Sequence, residues 1–229
     1  MIIPHLIFSH LLADYILQTN WLAARKGQFI AREIHSWDGL ALHGLMVWLM
    51  SLAVLPRQIA ALWPYITILA LIHTFQDGLK VWISSRLHIH PFIPYLVDQL
   101  LHLITILIFQ AAVVNYIIPR PGPDESWVMA LGASLIAITR FYEVSWWANW
   151  PDMISYMNHW RWWGYTERIT MLLLSMFNLW ILAPLAVVPR LYAAWREGHA
   201  VWEQKRGATE LLLGIAFSVI LGLALKPPR

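Results

Sequence analysis

Four histidines and three aspartates in the first half of the chain recur at one spacing. His10 and Asp14, His73 and Asp77, and Asp98 and His102 are each four residues apart, and His43 stands beside Gly44 between the first two pairs. On an α-helix an i, i+4 pair shares one face. Gln18 extends the first stripe, Lys80 the second and Thr105 the third, with Gln76 and Gln99 adjacent. Imidazole nitrogen and carboxylate oxygen without sulfur suit Zn²⁺, Mn²⁺ or Fe²⁺, and His/carboxylate pairs on facing helices are how bundles assemble mono- or dinuclear sites. The candidate metal ligands are His10, Asp14, His43, His73, Asp77, Asp98 and His102. A bound divalent ion would lower the pKa of its water toward ~7 and make a nucleophile for an ester or phosphoester. Asp14 and Asp77 are then the candidate catalytic carboxylates and Lys80 the candidate anchor for a substrate phosphate, with Gln18 and Gln99 as orienting donors.

The elements that must carry these residues follow from composition. Of 229 residues, 59% are hydrophobic and 13% charged, with a mean hydropathy of +0.55; soluble domains are about 25% charged. So few charges cannot cover a water-soluble globule of this size, but they can border lipid-facing helices. The expected fold is an all-α polytopic transmembrane bundle, with about seven apolar segments at 3–24, 39–55, 63–83, 92–118, 127–147, 169–188 and 208–225. No basic region precedes the first apolar run, and His10 and Asp14 lie within it, so a retained first helix is expected rather than a signal peptide. The chain has no cysteine, which excludes disulfides, thiolate nucleophiles and Cys-ligated zinc or iron–sulfur clusters. A net charge of +3 spread over many connections suits membrane lipids as partners and not nucleic acid. Membrane-protein partners and the oligomeric state are left open.

Depth is a second indicator of a shared site. At 1.5 Å per residue, Asp14 lies ~16 Å from Arg25, His43 ~8 Å from Asp38, Asp77 ~14 Å from Arg86, and Asp98 and His102 ~9 and ~15 Å from Phe92. His10 is deepest, at ~22 Å. The four segments run in alternating directions, yet all seven residues fall in one half of the membrane. Lys and Arg divide ten against six in favour of that side being cytoplasmic, giving an outside N-terminus and an inside C-terminus.

Other readings compete. A single buried His is more often an interhelical hydrogen-bonder than a ligand, and Asp–His and Asp–Lys pairs alone would tie a bundle together. Lys80 and Gln18 lie near enough to an interface to snorkel. His5, His35, His88, His90, His159 and His199 fall at edges or in loops and are expected to be solvated. Three function classes stay open: a metal-dependent hydrolase or transferase acting on a lipid or isoprenoid phosphate; an ion or proton transporter component; and a non-catalytic subunit that binds a pigment, haem or partner proteins. A conduction path needs polar residues in both halves of the membrane, and the outer halves read as almost bare.

The patterns His10-x3-Asp14-Tyr15-x2-Gln18, Leu42-His43, His73-x3-Asp77-x2-Lys80 and Asp98-Gln99-x2-His102 resemble a bacterial integral-membrane family catalogued as a domain of unknown function, number 3307. The resemblance covers the first half of the chain and implies a helical inner-membrane protein, with no activity, substrate or cofactor attached. The chain accordingly divides at the Pro119 to Glu125 turn into a His/Asp domain, 1–118, and an extension, 119–229. In the extension, Trp146, Trp147, Trp150, Trp160, Trp162 and Trp163 are expected in the headgroup layer as an aromatic belt. Arg140 and Glu143 are expected to pair, and 191–206 is read as an interfacial amphipathic helix.

Overall fold

A computed structural model describes residues 2–27, 37–87, 89–113, 116, 120–197, 206–225 and 227. Among them are helices and turns, with no strand. Arg32, His35, His88, His199, Lys205, Lys226 and Arg229 lie outside the described residues. Four helical stretches are long and apolar enough to cross a membrane: Pro56–Arg86, Phe92–Val113, Pro123–Asn149 and Gly207–Ala224. Two shorter apolar helices, Ile3–Leu17 and Asp38–Ala53, accompany them. The molecule is an all-α membrane protein, and it packs as two compact units, Met1–Ala133 and Ser134–Arg229.

The first unit holds α1 (Ile3–Leu11), α2 (Asn20–Gly27), α3 (Trp37–Ala53), α4 (Ile59–Arg86) and α5 (Phe92–Val113). The expected continuous helix over 3–24 is broken. After α1 the chain widens into a π-helical turn, Leu12–Leu17, then becomes extended at Gln18 with ψ 93°. Thr19 restarts it, its hydroxyl accepting the Leu22 N–H at 3.3 Å as an N-cap residue does. An apolar core of Ile2, Leu6, Leu55, Leu62, Ile66, Leu69, Ile106, Phe109 and Val113 joins α1, α4 and α5. Helices α3 and α4 meet at Gly44, where a Cβ would lie 2.1 Å from Thr74 Oγ1. Only a residue without a side chain permits that approach, and it sets His43 against α4.

The second unit contains the end of α6 (Pro123–Ile136), a π-helical turn Ala137–Phe141, α7 (Tyr142–Asn149), α8 (Ile154–Met176), α9 (Val188–Arg196) and α10 (Gly207–Ala224). The segment expected to cross at 169–188 is not one helix. Helix α8 ends at Met176, Asn178 takes a positive φ of 63°, and the chain returns as a 3₁₀ stretch, Trp180–Val187, interrupted by Pro184. Asn tolerates that left-handed conformation better than most residues. Arg168 of α8 and Arg190 of α9 therefore both reach Glu210, at 3.0 and 3.1 Å. Arg190 also lies 3.2 Å from Glu167, and Arg168 Nε donates to the Ile138 carbonyl of the π-helical turn at 2.6 Å. These charges are buried but mutually compensated, as such groups must be.

The tryptophan cluster divides between buried and exposed side chains. The sharp connection at Trp150 and Pro151 folds α7 against α8, so each helix turns one face inward. Trp146 and Trp160 are buried with Tyr142, Met153, Tyr156 and Met157, while Trp162 is 76% exposed. Of the stretch read as an interfacial helix, α9 covers the part up to Arg196.

Candidate metal centre

The sequence pattern places one ligand-bearing face on each of four elements, and the first unit turns those faces together. Helix α1 and its π-helical turn supply His10 and Asp14, α3 supplies His43, α4 supplies His73 and Asp77, and α5 supplies Asp98 and His102. π-Helical turns of this kind frequently mark functional sites. Asp77, Asp98, His43, His73 and His102 are each at most 4% exposed, and His10 is 8% exposed.

The donor atoms form overlapping groups: the first, His43, His73 and Asp77, and the second, Asp77, Asp98 and His102, share Asp77, and a third, His10, Asp14 and His73, adjoins the first through His73. His43 Nε2 lies 3.1 Å from His73 Nε2, 3.1 Å from Asp14 Oδ1 and 3.2 Å from Asp77 Oδ2. His73 Nε2 lies 3.6 Å from Asp14 Oδ1 and 3.7 Å from Asp77 Oδ2. Neighbouring ligands bonded to one tetrahedral ion at 2.0–2.1 Å stand about 3.3 Å apart, and these pairwise separations bracket that value. In the second group, His102 Nε2 is 3.6 Å from Asp77 Oδ1 and 3.3 Å from Asp98 Oδ1. The two oxygens of Asp77 thus face different groups, the arrangement of a bridging carboxylate. His10 stands at the edge: its Nδ1 is 3.9 Å from Asp14, and its Nε2 is 3.4 Å from Gln99 Oε1.

Several of these atoms are close without making hydrogen bonds. Asp14 Oδ1, Asp98 Oδ1, His10 Nδ1 and His102 Nε2 are buried with no hydrogen-bond partner among the described residues. Buried polar atoms are normally satisfied, and facing carboxylate and imidazole atoms left in this way fit a cation between them.

Two ammonium groups flank the cluster. Lys80 Nζ is 2.8 Å from Asp98 Oδ2, with its side chain 31% exposed. Lys26 Nζ is 2.6 Å from Asp77 Oδ2 and donates to Gln18 Oε1 at 2.8 Å. Neither Lys80 nor Gln18 merely snorkels. Lys26 sits at the charged end of the first apolar segment; the break at Gln18 lets α2 fold it inward, and Thr19-Asn20 is the capping signal for that restart. Nearby, Arg25 pairs with Asp38 on the surface, and the carboxylate raises the guanidinium pKa.

A cavity of about 20 Å³ adjoins His10, His73 and His102, with Ser9, Ser51, Gln76 and Thr105 also in its wall, enough for one water molecule. The deeper half of the unit is less bare than expected. His5, Ser9, Ser51, Gln58 and Gln110 are buried there, His5 because the start of α1 tucks into the core beside Ile2 and Leu6. Ser9 donates to the Leu6 carbonyl and lies 3.2 Å from the Ser51 hydroxyl, and Gln110 of α5 accepts from the Ile2 N–H at the start of α1. His90 and His159 are exposed, as expected for edge histidines.

The model of a family described as Protein of unknown function (DUF3307) matches residues 2–119, just over half of the chain. The chain belongs to the DUF3307 family. The match contains all seven candidate ligands and both lysines. Comparison with curated proteins and with solved structures gives no match.

Proposed function

We propose that this DUF3307 protein holds a dinuclear divalent-metal centre within the membrane and uses it for hydrolysis or transfer at a lipid or isoprenoid phosphate. The observation that carries the reading is the pair of donor groups His43, His73 and Asp77, and Asp77, Asp98 and His102, joined through Asp77. Nitrogen and oxygen donors without sulfur favour Zn²⁺, Mn²⁺ or Fe²⁺. A pair of such ions supplies an activated water and stabilises phosphoryl oxygens. Lys80, still partly exposed, would anchor the substrate phosphate, and Gln99 would orient Asp98, to which it donates at 3.1 Å. The surplus of Lys and Arg on the cluster's side of the first four segments supports a site opening toward the cytoplasm of a bacterial inner membrane.

A second reading rests on the lysine contacts. Lys26 with Asp77 and Lys80 with Asp98 are ion pairs that a purely structural network would also contain. The test is release of phosphate from lipid phosphate monoesters by purified protein supplied with Mn²⁺ or Zn²⁺. Activity that is lost by at least about 100-fold in Asp14→Asn and Asp77→Asn, with folded yield retained, supports the enzyme. A folded, metal-free and inactive wild type supports the network.

A further inference from the structure

A separate cluster lies in the second unit. Glu143 is 1% exposed, and both its oxygens are used. Oε1 accepts from Arg161 Nε at 2.6 Å, and Oε2 accepts from Arg140 Nη1 and from the Tyr165 hydroxyl, the latter at 2.6 Å. Two guanidiniums therefore share one saturated carboxylate, leaving one positive charge in excess. A guanidinium has five N–H donors. Arg140 directs Nη1 to Glu143 and Tyr165, and Arg161 directs Nε to Glu143 and Nη2 to Asn158. The side chains are 33% and 32% exposed, so donors remain for an outside acceptor.

Trp147 adds an independent sign. Its ring stands 5.9 Å from the Arg140 guanidinium and 5.5 Å from that of Arg161, close enough for cation–π contact with both. Its Nε1 is a buried donor with no acceptor among the described residues. An excess positive charge, forked donors and an unsatisfied indole N–H together call for an oxyanion. Guanidinium forks match phosphate oxygens in particular. Neighbouring Trp162, largely exposed, is the kind of residue found at headgroup level.

We propose that Arg140, Arg161 and Trp147 form a binding site for a phosphate group, presented by an anionic lipid headgroup or by a free phosphate anion. The site is distinct from the His/Asp cluster and does not depend on it holding metal.

Native mass spectrometry of the full chain in detergent tests it, with phosphatidylglycerol, phosphatidylcholine and inorganic phosphate as probes. The wild type is expected to retain phosphatidylglycerol in preference to phosphatidylcholine. Arg140→Gln and Arg161→Gln should each weaken retention about fivefold, and Arg161→Lys should restore part of it. Trp147→Phe, which keeps the ring and removes the N–H, should also weaken it. Arg161→Gln leaves Glu143 paired with Arg140 and Tyr165, so it should fold. Arginine-dependent binding of inorganic phosphate without lipid retention assigns the site to a free anion. Retention unchanged in both glutamine variants, or binding of none of the probes by wild type, overturns the proposal.

Discussion

Lys26 is where the metal centre and a structural network make opposite demands on one residue. Its ammonium occupies Asp77 Oδ2, a position that a cation in the first group would also use. Lys26→Met leaves a buried carboxylate unpaired, which costs about 3–5 kcal/mol. In metal-free protein the melting temperature should fall accordingly. Added Zn²⁺ or Mn²⁺ should restore it, because a divalent ion replaces the lost charge. If the cluster only ties helices together, the loss persists with metal present; melting curves of the apo and metal-supplied variant check this. At this scale the sequence was informative for paired residues: a His/Asp repeat at i, i+4 puts both donors on one helical face, and all seven candidates meet. Lys26 was not legible, since nothing in a charged border says that it will be folded inward.

The geometry of the elements decides whether those faces touch. Helices α3 and α4 approach at Gly44, where any Cβ would overlap Thr74 Oγ1. Gly44→Val should force the helices apart, destabilise the protein by about 1–3 kcal/mol, and separate His43 from His73. Metal content per folded chain should fall with it. Gly122, around which a Cβ meets nothing within 4 Å, is the control, and Gly122→Ala should leave both quantities unchanged. Hydropathy found the long apolar helices because burial in lipid requires uninterrupted apolar length. It did not find the break at Gln18 or the return at Asn178. Both turn on single-residue dihedrals inside apolar runs, where the average hydropathy does not change.

For the whole molecule, topology connects the cluster to one side of the membrane. Arg57 precedes α4 and Arg86 ends it, so the two mark opposite ends of one candidate span. The chain has no native cysteine, so Arg57→Cys and Arg86→Cys can each be labelled alone. With an impermeant thiol reagent on intact cells, the cysteine at 57 should react and the one at 86 should react only after permeabilisation. The reverse pattern would put the lysine-flanked end of the cluster outside. The Lys/Arg count behind that orientation is firmer for the first four segments than for the second unit, where Arg168 and Arg190 meet at Glu210 and do not lie across the membrane from each other.

The central claim is that the converging donors hold metal, and elemental analysis of the purified chain after equilibration with Zn²⁺, Mn²⁺ or Fe²⁺ tests it most directly. The geometry predicts one to two ions per wild-type chain, on the order of a mono- or dinuclear bundle site. Asp77→Asn, which alters the residue shared by both groups, should remove them all while the protein still inserts. A well-folded wild type that binds none of the three metals at saturating concentration would contradict the account.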